Sequence, residues 1–310
     1  MWPFFVRRIV SALITFFSVI LIIFVLFYVV GGDPAAILAG KNASPEALAQ
    51  TRHELGLDQP LPLQFAGFLK NSVTLDWGLS WATKQKVSSS LSSSLGASLS
   101  LTIPAFLISV LLALGFAFVA AYKKSSWDHA IYFMCTLLMS FSFVVFILVA
   151  QQWLAFQWNL FPVYGWDPSW TARWSYLALP CLIYVVATLA PKVFIFRAAL
   201  FNELQQDYVR TAYAKGLSPL SVFGVHIFKN ASIPILTLVT SQVPSLITGS
   251  LLLEAYFGIP GVGHLLLKAI QESDLPVIQA TTVLGTALYI FFNLVNDLLA
   301  LALNPRLESL

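Results

Sequence analysis

The chain has 310 residues, of which 58% are hydrophobic and 10% charged, with a formal net charge of +3. Soluble domains carry roughly 25% charged residues, so a mean hydropathy of +0.80 excludes a soluble globular protein and leaves an integral membrane one. The mild positive charge excludes a nucleic-acid footprint. Cys135 and Cys181 lie singly in apolar runs, which excludes a disulfide framework or a zinc site and reads as small packing residues.

Six charge-poor stretches are each long enough to cross a hydrocarbon core as helix. They run from Ile9 to Val30, Leu95 to Tyr122, Ala130 to Phe156, Leu177 to Leu200, Ile233 to Phe257 and Val277 to Leu303. The expectation is an all-α integral membrane protein of six transmembrane helices, with residues 1–310 forming one membrane domain. The first stretch follows Arg7 and Arg8 but is longer than a signal-peptide core, so it reads as an uncleaved span. Orientation follows from Lys and Arg, which accumulate on the cytoplasmic side. Arg7 and Arg8, then Lys123 and Lys124, then Arg210, Lys215 and Lys229 fall on one side, against only Arg173 and Lys268 in the short loops of the other. Both termini are therefore predicted to be cytoplasmic, and the long loop 31–94 extracytoplasmic.

Within that loop, SPEALAQTRHEL offers Ser44 as N-cap and Pro45 as first helical residue, predicting a short helix to Leu55. The serine tract SSSLSSSLGASLSL spaces Leu91, Leu95 and Leu99 four apart, so it reads as an amphipathic lead-in to span two and not as a linker. A phosphate cradle of the form GxxxxGK[ST] is missing, since Gly40 and Lys41 lack the preceding glycine and the following hydroxyl residue. FGIPGVG, with Gly258, Gly261 and Gly263, has the wrong spacing for a dinucleotide loop. No catalytic residue or metal ligand is predicted, and any ATP hydrolysis has to come from another chain.

Ionisable residues inside spans are costly and mark pathways or buried pairs. Arg197 and Asp297 lie near cytoplasmic span ends, where local pairing accounts for them. Lys192, deeper and directly after Pro191, and Glu254, near the outer end of span five, are candidate translocation-path residues together with Gln242; buried pairing is the alternative for each. Prolines 104, 180, 191, 234 and 244 permit kinks.

The cytoplasmic segment 202–231 is longer than a helix hairpin needs. Glu203 and Asp207 precede a helical stretch through Tyr208, Ala212 and Ala214, and Gly216 ends it in a left-handed conformation. Ser218 and Pro219 then start a second helix, to about Phe228, presenting Leu220, Phe223 and Phe228. Spacing alone admits two readings of that helix, an apolar knob for a partner's groove or an interfacial helix lying on lipid.

The segment DYVRTAYAKGLS followed by HIFKNASIP resembles the EAA loop of bacterial ABC importer permeases of the dipeptide and oligopeptide family. An N-terminal RRI, GGDP (Gly31 to Pro34), ELGLDQPLPLQF, DWGLS (Asp76 to Ser80), NLFPVYG (Asn159 to Gly165), EAYFGIPGVGHLLLKAIQESDLPVIQA and NPRL (Asn304 to Leu307) resemble that family's stations in order, over nearly the whole chain. The departures are Arg210 at the acidic place of the general loop pattern, Tyr213 where the subgroup usually has Arg, and GGDP for PGDP. The resemblance implies a type I ABC importer permease fold in the bacterial cytoplasmic (inner) membrane, with cytoplasmic coupling helices between spans four and five. It implies a heterodimer with a homologous second permease, two ABC ATPase subunits carrying ATP and Mg, and an extracytoplasmic substrate-binding protein, all set in membrane lipid. This chain itself is implied to bind no cofactor. Asp207, Arg210, Ala212, Ala214, Lys215, Gly216, Leu217, Ser218, Leu220 and Phe223 are implied to couple to the ATPase. Peptide is the implied cargo, with nickel chelates, sugars or peptide antibiotics as alternatives within the family. An ion-coupled secondary transporter and a non-transporting scaffold are the rival classes.

Overall fold

A computed structural model describes residues 2–40, 43–123, 126–247 and 249–303; Lys41, Lys124 and the closing NPRL motif lie outside the described residues. Helix α1 (Trp2–Phe24) runs on through a π-turn, Val25–Val30, as the first span. Three short helices follow, α2 (Pro34–Ala39), α3 (Pro45–Glu54) and α4 (Leu61–Thr74). The Asp33 carboxylate caps α2 by accepting from the Ala35 N–H at 3.1 Å and is gripped by the Arg52 guanidinium at 2.6 and 2.9 Å, which ties the GGDP station to α3. The Ser44 hydroxyl accepts from the Ala47 N–H at 3.2 Å, the cap expected there.

Span two, α5 (Val87–Lys123), begins in the serine tract as expected. Its inward row is Leu91, Ser94, Ala97, Ser98 and Leu101, with Leu95 and Leu99 only half-buried. Farther along, Ala113, Ala117, Ala120 and Ala121 are buried against Val193, Phe196 and Leu200, small residues that let neighbouring helices approach closely in a membrane. Span three differs from the single stretch expected. It is α6 (Ser126–Met139) and α7 (Phe143–Ala150, extended by a π-turn to Gln157), bent by 89° at Ser140–Ser142. Ser142 adopts extended backbone and starts a new helix; serine favours such boundaries, a signal hydropathy averages away.

Span four is α8 (Trp170–Leu204), which holds Pro180 and Pro191. After it come α9 (Asp207–Ala214), then α10 (Pro219–Ser221), a π-segment Val222–Ile227 and α11 (Phe228–Ser241), with α12 (Val243–Ile247) completing span five. Two expectations are corrected here. The second helix expected within 202–231 is no separate element, because Pro219–Leu246 is one membrane-length helical run. Span five does not reach Phe257: Gly249, at φ +72°, and extended Ser250 turn the chain into a hairpin of α13 (Leu251–Phe257) and α14 (Val262–Gln271). Span six is α15 (Leu275–Leu303).

Two main cores result, one at the basic end around Phe196, Leu200, Phe223 and Ile227, the other at the opposite end around Leu101, Leu177, Leu253 and Phe257. Smaller clusters fasten α1 to α4 and α15 through Phe24, Phe68 and Val283, and α5 to α14 and α15 through Val87, Leu91, Ala269 and Ala280. Both cysteines are free and packed in these cores, Cys135 fully and Cys181 partly buried.

Candidate functional site

At the basic end, α9 is held from beneath. The Tyr208 hydroxyl donates to the Glu203 carboxylate at 2.5 Å, while Val209 and Ala212 enter the core beside Val222 and Phe223. The remaining side chains face away from the protein. Asp207 and Arg210 are almost fully exposed and 3.7 Å apart, a contact that contributes little in water. Ala214, Lys215, Gly216, Leu217, Ser218 and Leu220 continue this exposed surface. Gly216 has φ +78°, and a Cβ there would meet nothing within 4 Å, so its need for glycine is purely backbone. The Ser218 hydroxyl accepts from the Ser221 N–H at 3.4 Å, with Pro219 in the first turn.

The apolar knob expected from Leu220, Phe223 and Phe228 is corrected in one member. Leu220 is 64% exposed, but Phe223 is 2% exposed, T-stacked on Phe118 at 4.7 Å. Its role is to lock the start of span five onto the end of span two.

The path candidates separate. Lys192 is buried; its Nζ donates to the Thr188 carbonyl at 3.3 Å and lies 5.4 Å from the centre of the Phe106 ring. Among the described residues it has no carboxylate partner. Gln242 lies half-buried at the break between α11 and α12. Glu254 is not in span five but in α13, and it faces no cavity, being 0% exposed. Its carboxylate accepts from the Ser98 hydroxyl at 2.7 Å, the Ser250 N–H at 3.2 Å, the Gly263 N–H at 2.8 Å and the His264 N–H at 3.2 Å. Ser98 in turn accepts from the Val262 N–H at 2.8 Å. The first turn of α14, whose N–H groups have no partner within the helix, is thus capped by Glu254 and Ser98. Burial pushes the Glu254 pKa up, while these donors pull it back. Cβ atoms at Gly249 or Gly261 would collide with this carboxylate, and one at Gly263 would come within 2.5 Å of the Leu251 Cα, so the glycines of EAYFGIPGVG leave room for the knot. Ser98 and Phe106 are eight residues, about 12 Å, apart along α5, so Lys192 and Glu254 sit at different depths and do not pair.

Three polar contacts complete the frame. The Arg197 guanidinium grips Asp128 at 2.5 and 2.6 Å, joining spans three and four, and Arg8 pairs with Asp297 at 3.0 Å, joining spans one and six. Local pairing, the expectation for Arg197 and Asp297, is what the structure has. Asp274, which sequence reasoning missed, is 2% exposed at the head of α15. It accepts from the Ser80 hydroxyl, the Trp81 N–H at 3.0 Å and the Ala82 N–H at 3.3 Å, clamping the DWGLS turn to span six. Its only sequence signal was its place in the ESDLP station.

Residues 113–309 match the family described as "Binding-protein-dependent transport system inner membrane component", and residues 1–102 match its companion, "Binding-prot-dependent transport system membrane comp, N-term". The chain is 33% identical over 313 residues to the "Probable peptide ABC transporter permease protein y4tP" of Sinorhizobium fredii, covering 97% of this chain and 98% of that one. It is also 33% identical over 304 residues to the "Glutathione transport system permease protein GsiC" of Escherichia coli K12, covering 98% of each. The protein of the same name from Shigella dysenteriae matches equally well.

Proposed function

The chain belongs to the family of binding-protein-dependent transport system inner membrane components, and from that premise we propose that it forms, with a homologous second permease, the path for di- and oligopeptides. It is the permease of a binding-protein-dependent ABC importer, a multi-pass membrane component that lacks the ATPase domain and works in a complex with an ATPase and a binding protein. The finer reading is a heterodimer of permeases over two ATPase subunits, which carry ATP and Mg, with both termini and the basic end in the cytoplasm and loop 31–94 outside. The relatives' names, a peptide and a glutathione permease, support peptide cargo.

The observation that carries the coupling assignment is the exposed surface of α9, Gly216, Leu217 and Leu220 on a buried footing of Val209, Ala212 and Phe223. A footing that cannot yield transmits force, and an exposed apolar and polar face offers a partner's groove something to hold. Lys192 and Gln242 are the path residues of this reading. Lys192 becomes accessible only where α5 and α8 part, and helices that alternate between two packings do part. Glu254 serves the path indirectly, by fixing the outer hairpin to span two.

Reconstitution of the chain with its second permease, ATPases and binding protein in proteoliposomes tests this. Peptide-loaded binding protein should stimulate ATP hydrolysis, and Leu220→Asp should abolish the stimulation while leaving the permease folded. Stimulation unchanged in Leu220→Asp would refute the coupling surface. Uptake of a peptide by the isolated chain, driven by an ion gradient, would refute the importer.

A further inference from the structure

Three stretches to which the coupling surface gives no role meet beyond the basic end's opposite face. ELGLDQPLPLQF, DWGLS and the ESDLPVIQ head of α15 converge with Tyr28, on the last π-turn of span one, around a cleft of about 490 Å³. That volume is in the range of small-molecule sites. The walls are held in place by the protein itself. The turn at 54–59 is pinned by the Gln64 amide, which donates to the Leu57 carbonyl at 3.1 Å and the Gln59 carbonyl at 2.7 Å, and by the His53 ring, whose Nδ1 lies 2.8 Å from the Asp58 carboxylate. On the DWGLS side, Trp81 is fixed by its N–H, which donates to Asp274 at 3.0 Å.

The lining carries charge of one sign. Glu54 and Asp76 belong to it, and among the described residues no Lys, Arg or His does. Glu54 accepts from the Gln50 amide at 2.9 Å, whereas the Asp76 carboxylate has no partner among the described residues. Tyr28, Trp77 and Trp81, all half-buried, supply ring faces, which attract a cation. The most buried polar side chain of the lining is Gln279, 8% exposed. Its one partner among the described residues is the Tyr28 hydroxyl, a fraction of what an amide can bond. Gln64 spends its amino group on two carbonyls and keeps its oxygen for the cleft. Carboxylates, ring faces and amide oxygens suit a ligand that offers an ammonium group followed by N–H donors. They do not suit a phospholipid headgroup, whose phosphate would stand against two carboxylates with no cation beside it.

We propose that this cleft receives the amino-terminal end of a short peptide, with the ammonium group at Asp76 and Glu54 beside the ring faces and the first peptide units against Gln64 and Gln279. The proposal rests on the peptide-importer reading above and adds to it a cargo site apart from Lys192 and Gln242. Because the lining holds no cation, the carboxyl end of the peptide points out of the cleft. A free amino terminus is therefore required for binding, and a free carboxylate is not. Tyr28 belongs to span one and Gln279 to span six, so a seated peptide ties the 54–81 segment to both spans at once.

The test uses the complex with its second permease and ATPases in nanodiscs, without binding protein, and a tripeptide whose middle residue is photo-leucine. Illumination should label this chain within residues 54–81 or 275–279, the segments that line the cleft. Excess unlabelled tripeptide and its C-terminal amide should suppress the label, and the N-acetylated tripeptide should not. Asp76→Asn should raise the tripeptide concentration that half-suppresses the label roughly tenfold, the effect of one hydrogen bond to a charged group. Asp76 is exposed, so this variant should keep the wild-type Tm, and the acetylation arm needs no variant at all. Equal suppression by the N-acetylated tripeptide, label confined to other segments, or half-suppression unchanged in Asp76→Asn would overturn the site. Suppression by propylamine at the same concentration as by the tripeptide would overturn the peptide as its occupant. The same preparation with peptide-loaded binding protein separates this site from the reading beneath it. Stimulated ATP hydrolysis without label at the cleft would overturn the site and spare the peptide importer, and absence of stimulation by any peptide would overturn both.

Discussion

Replacing Glu254 by glutamine keeps the shape of the side chain and removes half of its capacity to accept. The carboxylate takes four donors, Ser98 and Ser250 on one oxygen, Gly263 and His264 on the other. A glutamine carbonyl can serve one pair only, and its NH2 then faces the other two donors. Two donors in a buried site lose their acceptor, at about 1–3 kcal/mol each, so a loss of roughly 2–4 kcal/mol is expected after partial relaxation. For a chain of this size 1 kcal/mol corresponds to about 2–4 °C in Tm, giving an apparent fall of about 5–10 °C in detergent. The assay is built into the protein, since Cys135 and Cys181 are free and largely buried and label with a thiol-reactive dye only as the cores open. Gly261→Ala should fall similarly, because its Cβ would occupy the place of the same carboxylate. An apparent Tm for Glu254→Gln within about 2 °C of wild type would refute the claim that the knot holds the outer hairpin.

Three other perturbations follow from the same geometry. Asp274→Asn should weaken the clamp on the 80–83 turn by about 1–3 kcal/mol, read as faster proteolysis of the intact protein between Leu79 and Lys86; an unchanged cleavage rate would count against the clamp. A double-mutant cycle on Arg197→Ala and Asp128→Ala should return a coupling energy of about 1–3 kcal/mol, the pair being only 23% and 16% exposed, and a coupling near zero would show that the two spans are held by packing alone. Gly216→Val should cost on the order of 1 kcal/mol of backbone strain with no steric clash, and so should impair transport-coupled hydrolysis far more than it lowers Tm; normal coupling in the intact complex would contradict the turn's role.

Much of this was legible in the residues. Ser44 and Pro45 announced α3, Gly216 announced its turn, and the charge-poor stretches located spans one, two, four and six, because caps, left-handed glycines and apolar length are local properties. What failed was non-local. Beyond the serines at 140 and 142, nothing in the sequence states that span three bends by 89°, since the apolar count is the same for a straight helix and a bent one. Glu254 looked like an intramembrane acid because its donors come from Ser98, 156 residues away, and from a hairpin whose glycines read as a loop. Phe223 and Leu220 were indistinguishable as exposed apolar candidates until Phe118 and Tyr122 were seen to occupy one side of the helix. Asp274 lay in a recognised motif without a role, because its partner, the Ser80 turn, is 194 residues distant.

The run from Pro219 to Leu246, interrupted only by the turn at Gln242, makes span five a lever with unequal arms. Phe223, wedged against Phe118, stands four residues from the short end and twenty-three from the long one, about 6 Å and about 35 Å at 1.5 Å per residue. If the rod pivots there as one body, a displacement of about 1 Å at Pro219 sweeps the far tip, beside Gln242 and the glycine that opens the outer hairpin, through about 6 Å. Pro234 sets the gain, because any flexing at that missing hydrogen bond shortens the stroke.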